Sequence, residues 1–369
     1  MSKDIGPRIE VAEHIRSLVP YQPGKPIEEV KRELGLSSVT KLASNENPLG
    51  PSPAAVEAIQ QAAAGVHLYP EGSCHDLRKA VAAYLGVDGA QLSYGTGSDE
   101  VIHVAGLAFL TPDDQVLTGA PTFVLYRTCA ILNRCELVEV PLRDWTFDLE
   151  AMADRITERT RLVFIANPNN PTGTIVRRRE LERFMDRLPE RAILVLDEAY
   201  AEYVDDPGYP TSLDYIREGR NVLGLRTFSK IHGLAGVRLG YGIARPDIAA
   251  ELERVREPFN VSVLAQAAGI AALESDEHVR RSLTTNETGK AELAEAFGEM
   301  GLAATETHAN FVWVDIGAPC RPVFQEMLKR GVILRTGDIF GAGAHMRITV
   351  GTAEQNERCV TALREVLGK

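Results

Sequence analysis

Lys230 sits in the segment Thr-Phe-Ser-Lys-Ile-His-Gly-Leu-Ala-Gly-Val-Arg (227–238), with hydroxyls at Thr227 and Ser229 and a second cation at Arg238. Glycines and other small residues fill the space between the two cations. Such a stretch suits an anion held by hydroxyls, backbone and guanidinium, beside an amine that can react once nearby cations or desolvation lower its pKa. Three further polar motifs have the same placement, each directly after an apolar run. Leu196 precedes Asp-Glu-Ala-Tyr (197–200), Ala166 precedes Asn-Pro-Asn-Asn-Pro-Thr-Gly (167–173), and Tyr94 precedes Gly-Thr-Gly-Ser-Asp-Glu (95–100). Singly, each has a plainer reading: a solvated lysine, a charge pair at a strand end, a good turn sequence, a tight loop before a helix. The 95–100 turn also lacks the third glycine of a dinucleotide fingerprint, since Glu100 stands there.

The elements that must carry these motifs are legible as short apolar runs. Residues 115–118, 162–166, 192–196, 222–225 and 239–244 read as buried strands, and segments such as 178–187 have helical spacing. Continuous apolar strands separated by helices predict a mostly parallel α/β sheet covered on both faces. In such a sheet ligands bind at the carboxyl ends of the strands, so the four motifs are expected to converge on one cleft. Beyond Pro258 an alanine-rich helical stretch spans about 263–300. Strand-like runs follow at 311–314, 332–334 and 346–350, which predicts a smaller α+β domain. The expected division is an N-terminal arm over 1–40, a large domain over 41–260 and a small domain over 261–369.

The net charge of −11, with Arg177-Arg178-Arg179 as the one basic triplet, argues against a nucleic-acid partner. No apolar run approaches the ~20 residues of a membrane helix, so no membrane association is expected. The charged N-terminus lacks a signal-peptide pattern, and the expected location is cytoplasmic. The five cysteines form no CxxC pair and the eight histidines no HExxH, so no metal site is expected.

Taken in order along the chain, the motifs resemble those of pyridoxal-phosphate (PLP) enzymes of the aspartate-aminotransferase fold, and among them the histidinol-phosphate aminotransferases. The resemblance runs through YQPGKP (21–26), SNENPLGPSP (44–53), LYPEG (68–72), GTGSDE (95–100) and PTFVLY (121–126). It continues in NPNNPTG, DEAY, FSK with GLAGVRLGY, PFNVSVLAQAA (258–268) and MRITVGT (346–352). It implies fold type I, with a seven-stranded mostly parallel sheet in the large domain, and a homodimer with shared active sites.

The resemblance also assigns roles. Lys230 forms the Schiff base with the cofactor and moves the proton at the substrate Cα; Asp197 keeps the pyridine nitrogen protonated, with Glu198 structural beside it. Tyr200 and Asn170 donate to the ring hydroxyl. Gly97, Ser98 and Asp99 open a helix toward the phosphate, joined by Thr227, Ser229 and Arg238. Phe123 stacks on the ring, where many relatives have tyrosine, and Tyr69 reaches the phosphate from the neighbouring subunit. Arg347 is implied for the substrate α-carboxylate or, in histidinol phosphate, a nearby substrate group, Arg335 and Tyr21 for a substrate phosphate, and Asn47 for substrate binding. The implied reaction moves an amino group between L-histidinol phosphate and 2-oxoglutarate. Aromatic amino acid transamination and decarboxylation of a phosphorylated amino acid would use nearly the same residues.

Overall fold

A computed structural model describes residues 10–20 and 24–369. Its strands are β1 (Thr40–Lys41), β2 (Leu92–Gly95), β3 (Gln115–Ala120), β4 (Glu136–Pro141), β5 (Thr160–Ala166), β6 (Ile193–Asp197) and β7 (Val222–Thr227). They continue with β8 (Gly240–Ala244), β9 (Ala303–Ala304), β10 (Phe311–Asp315), β11 (Val332–Ile333), β12 (Arg335–Thr336) and β13 (His345–Thr349). Seven form one sheet in the order β2-β8-β7-β6-β5-β3-β4, in which β8 runs antiparallel to both of its neighbours and the other six share one direction.

The central strands β5, β6 and β7 are almost wholly buried, because helices cover both faces and leave no solvent side for polar residues. At the edge, β4 begins at the exposed Glu136 and then alternates buried Val138 and Val140 with half-buried Leu137 and Glu139. That alternation, with glutamates inside the run, hides β4 from a search for continuous apolar strands.

A second sheet, β12-β13-β10-β9, is antiparallel throughout, and β1 pairs in parallel with β11. The long helical stretch predicted over 263–300 is two helices, Val263–Leu273 and Asp276–Glu299, separated at Glu274 and Ser275. Ser275 ends the first by turning its hydroxyl back to the Ala271 carbonyl at 2.8 Å and onward to Ser52 Oγ at 2.9 Å. Val263–Leu273 places Ala265, Ala268 and Ala272 in the core of the seven-stranded sheet. Leu42, from the N-terminal side, lies in the other core with Phe297, Val312 and Ile348. No helix among the described residues is long and apolar enough to cross a membrane.

Candidate active site

β2, β5, β6 and β7 are parallel to one another, so the polar motifs that follow them leave the sheet at one end. There they line a cavity of about 380 Å³ that contains Lys230, Asp197, Tyr200, Asn170, Phe123 and Arg347. Gly97, Ser98, Asp99, Thr227, Ser229 and Arg238 line the same space.

Asp197 closes β6 and is 4% exposed. Its Oδ2 accepts from the Tyr126 hydroxyl at 2.7 Å and its Oδ1 from the Ala199 amide at 3.1 Å. Burial pushes this carboxyl up to about 6, and the two donors restrain the rise. Glu198 points away from the cavity: fully buried, it accepts from the Ser212 amide and hydroxyl at 2.7 and 2.6 Å and from Arg226 Nε at 2.9 Å. Neighbouring carboxylates at a strand end thus divide into one facing the cavity and one anchoring the scaffold.

Part of the cavity wall groups a helix start, two hydroxyls and a guanidinium. The helix Ser98–Phe109 begins at Gly97, whose φ of 85° is a conformation that a side chain disfavours. A Cβ at Gly97 would lie 2.5 Å from the Arg238 guanidinium, so the glycine is what lets Arg238 reach the helix start. Arg238 donates to Asp99 Oδ2 at 3.2 Å and, more weakly, to Ser229 Oγ at 3.4 Å. Thr227 Oγ1 accepts from the Ser229 amide at 3.1 Å and folds the chain toward Lys230.

Lys230 Nζ lies 5.5 Å from the centre of the Tyr200 ring. The Tyr200 hydroxyl accepts from Asn45 Nδ2 at 2.9 Å, which leaves its own proton to give. Asn170 accepts from Arg347 at 2.5 Å through Oδ1, so the donor it can offer an oxyanion is Nδ2. The neighbouring Asn169 accepts from Thr122 Oγ1 at 2.7 Å and donates to the Pro121 carbonyl at 3.1 Å, which ties the turn after β5 to the loop carrying Phe123.

A second cavity of about 610 Å³ adjoins the first, sharing Phe123, Asn170 and Arg347 and adding Arg335 and Phe340. Arg335 and Arg347 are directly opposite one another on β12 and β13, and both are buried. Both line the second cavity, and Arg347 is also held by the Asn170 side chain and the Ala43 carbonyl.

Two sequence-predicted residues lie elsewhere, and a third falls outside the described residues. Tyr69 is 83% exposed and packs on Phe259, with ring centres 5.0 Å apart, rather than lining the cavity. Tyr21 is outside the described residues; its predecessors Val19 and Pro20 line the second cavity. Asn47 is displaced from the substrate role expected of it: its amide donates to the Ile231 carbonyl and to Ser282 Oγ, both at 2.8 Å, and accepts from the Leu49 amide at 3.0 Å. No donor is left for a substrate. The asparagine of this motif that lines the cavity is Asn45. Sequence reasoning missed Asn45 and Tyr126, although both lie inside motifs it singled out. Among the described residues no group of three or more potential ligands is placed to hold a metal.

Comparison with known proteins gives the family and the fold. The family model for aminotransferase class I and II matches residues 37–363. A histidinol-phosphate aminotransferase of Moorella thermoacetica is 52% identical over 96% of this chain and 92% of its own length. Another, of Akkermansia muciniphila, is 50% identical over 96% of this chain and 98% of its own. Among solved structures, histidinol-phosphate aminotransferase from Sinorhizobium meliloti in complex with pyridoxal-5'-phosphate superposes with a TM-score of 0.90 at 28% identity, covering 98% of this chain and 99% of that one. The fold is that of PLP-dependent transferases of fold type I. With a family model spanning most of its length and relatives half identical to it, the chain belongs to the aminotransferase class I and II family.

Proposed function

We propose that this protein is a PLP-dependent histidinol-phosphate aminotransferase, moving an amino group between L-histidinol phosphate and 2-oxoglutarate. The observation that carries the reading is the facing pair Arg335 and Arg347 in a cavity continuous with the one holding Lys230 and Asp197. An amine-reactive centre thereby opens onto a site suited to an anionic substrate end.

The residues present fit PLP. Asp197, a buried carboxylate with no cation among its hydrogen-bond partners, matches a pyridinium nitrogen. The glycine-opened helix start with Ser98, Thr227, Ser229 and Arg238 matches a phosphate. Tyr200 and Nδ2 of Asn170 match the ring oxyanion, and Phe123 matches a ring face. When bound, PLP supplies an aldehyde carbon for amine exchange and an electron sink for the substrate Cα.

Lys230 Nζ is the amine for that aldehyde and the base that takes the proton from the substrate Cα. Asp197 holds a proton at the pyridine nitrogen by keeping its own charge beside it. Arg347 grips the α-carboxylate of glutamate in one half-reaction, and Arg335 takes the phosphate of histidinol phosphate in the other. The family resemblance implies Tyr21 for the same substrate phosphate and Tyr69 for the cofactor phosphate of a partner subunit. We assign two bodies, one built on the seven-stranded sheet and including Val263–Leu273, the other on the four-stranded sheet and including Leu42. A homodimer in the cytoplasm completes the reading.

Two measurements test it. Purified protein is expected to be yellow, and Lys230→Ala to lose both covalent cofactor attachment and turnover; wild-type activity in that variant would remove Lys230 from the role. Histidinol phosphate, phenylalanine, tyrosine and phosphothreonine, offered side by side with 2-oxoglutarate, are expected to rank with histidinol phosphate first. A preference for phenylalanine would make the enzyme an aromatic aminotransferase. Release of carbon dioxide from phosphothreonine would make it a decarboxylase.

A further inference from the structure

Asn47 spends both of its side-chain donors within the protein, and one of those bonds ends at the residue directly after the lysine. One Nδ2 proton goes to the Ile231 carbonyl and the other to Ser282 Oγ on the helix Asp276–Glu299. Oδ1 takes the Leu49 amide, and the Asn47 carbonyl takes the Gly50 amide at 3.1 Å. The side chain is 8% exposed, so losing either acceptor would strand a buried polar atom.

The turn that Asn47 grips is the one from which Lys230 rises. The Gly233 amide donates to the Lys230 carbonyl at 3.0 Å, closing the turn on the lysine itself. Gly233 has a φ of 69°, and a Cβ there would fall 2.1 Å from the Gly50 carbonyl oxygen, so this turn lies directly on the backbone of the turn after Asn47. Ile231 is fully buried against Tyr200 and Phe311. Upstream, Lys230 is held by the end of β7; downstream, the Leu234 amide donates to the Phe228 carbonyl at 3.0 Å, and Asn47 supplies the side-chain bond to the turn.

Two near neighbours of Asn47 act on the same cavity. The Ala43 carbonyl accepts from Arg347 at 2.6 Å, and Asn45 Nδ2 donates to the Tyr200 hydroxyl. Residues 43–47 therefore fix the arginine, the tyrosine and the lysine turn from a single short stretch.

We propose that Asn47 is a positioning residue for Lys230, fixing the 230–233 turn through the Ile231 carbonyl so that Nζ meets the substrate Cα at a constant distance and angle. The inference rests on Lys230 being the amine that reacts with the cofactor.

The informative substitution is Asn47→Asp. A carboxylate keeps the side-chain size and still accepts from the Leu49 amide and from the Ser282 hydroxyl turned round, but it cannot donate to the Ile231 carbonyl. In the cofactor-loaded enzyme, Asn47→Asp and Asn47→Ala are expected to lower kcat by about 10- to 100-fold while KM for the amino donor changes by less than about 3-fold. The pH midpoint of the visible cofactor band is expected to shift with kcat, because the band reports the surroundings of the lysine nitrogen. Ser52→Ala serves as the stability control: it removes the cap of the helix Pro53–Ala62 and the bond to Ser275 without touching the lysine turn. It is expected to lower Tm with both readouts unmoved. If neither Asn47 variant folds, Ser282→Ala, which frees Asn47 from the helix and keeps the Ile231 bond, is expected to give smaller shifts of the same kind. An unchanged midpoint and kcat in Asn47→Asp, or in Ser282→Ala where that is the variant that folds, overturns the proposal whatever the Tm. Survival of the covalent cofactor band in Lys230→Ala would instead overturn the assignment of Lys230.

Discussion

The hydroxyl of Tyr126 donates to Oδ2 of Asp197 across 2.7 Å, and neither residue has appreciable contact with solvent. The Tyr126 ring is itself fixed, stacked on Phe164 with centroids 4.7 Å apart and planes within 9° of parallel. The carboxylate expected to face a pyridinium is thus oriented by a phenol that is locked in the core. One oxygen is engaged by Tyr126 and the other by the Ala199 amide, so rotation of the carboxyl group would break both bonds.

A stability prediction follows from the same carboxyl. Its folded value of about 6 lies above the ordinary 3.8, so between those values the folded chain holds a proton that the unfolded chain has released. Stability from this group is full below the ordinary value and is lost as pH rises through 6, reaching a deficit of about 3 kcal/mol. Cofactor-free Asp197→Asn is therefore expected to be more stable than cofactor-free wild type at pH 7.5, by up to ~3 kcal/mol, with the gap closing below pH ~4. Urea unfolding at the two pH values measures it. A less stable variant at pH 7.5 would mean that Asp197 is not a charge held at a cost.

Tyr69 supplies a test of subunit sharing. An aromatic side chain 83% exposed beside Phe259, itself 47% exposed, is suited to contact with a second copy. Mixing a Tyr69→Ala variant with Lys230→Ala and allowing subunit exchange is expected to restore activity toward roughly a quarter of wild type, since half the dimers are mixed and each contains one intact site. No recovery after demonstrated exchange would place Tyr69 outside any shared site.

The substrate reading is tested at Arg335. Arg335→Leu is expected to reduce kcat/KM for histidinol phosphate by a factor corresponding to ~2–4 kcal/mol, as for a lost charge-assisted contact to phosphate. Phenylalanine, lacking the phosphate, is expected to lose far less. Equal losses for the two substrates would make Arg335 a structural partner of the small sheet.

The parallel core was legible because β5, β6 and β7 are buried on both faces and therefore apolar throughout, and because each ends in a polar motif. β4 was not, since an edge strand alternates. The single long helix over 263–300 failed at Glu274 and Ser275, where serine followed by Asp276 and Glu277 is a local helix-start signal that the alanine-rich pattern on either side masked; the Ser275 hydroxyl also meets Ser52, more than two hundred positions away. Within SNENP, the choice between Asn45 and Asn47 turns on partners such as Tyr200, Thr349 and Ser282, which sequence spacing does not order. Tyr126 was hidden for a different reason: its ring reads as core, and only the fold shows that its hydroxyl ends on Asp197.

The stretch around residues 40–45 bonds mainly to chain made last. Thr40 and Leu42 donate to carbonyls of Gly331 and Ile333, Asn45 bonds to Thr349 across 304 positions, and Ala43 accepts from Arg347 across the same interval. During synthesis, the strands of the seven-stranded sheet are complete by Ala244, about a hundred residues before β13 exists. A nascent chain at that stage has Asp197, Lys230 and Arg238 but neither Arg335 nor Arg347. Its early segment waits, unpaired, for strands almost three hundred residues downstream, and closing so long a loop is slow. Both cation-lined cavities are therefore completed in the same late event, so that the chemistry and the selection of its substrate arrive together at the end of folding.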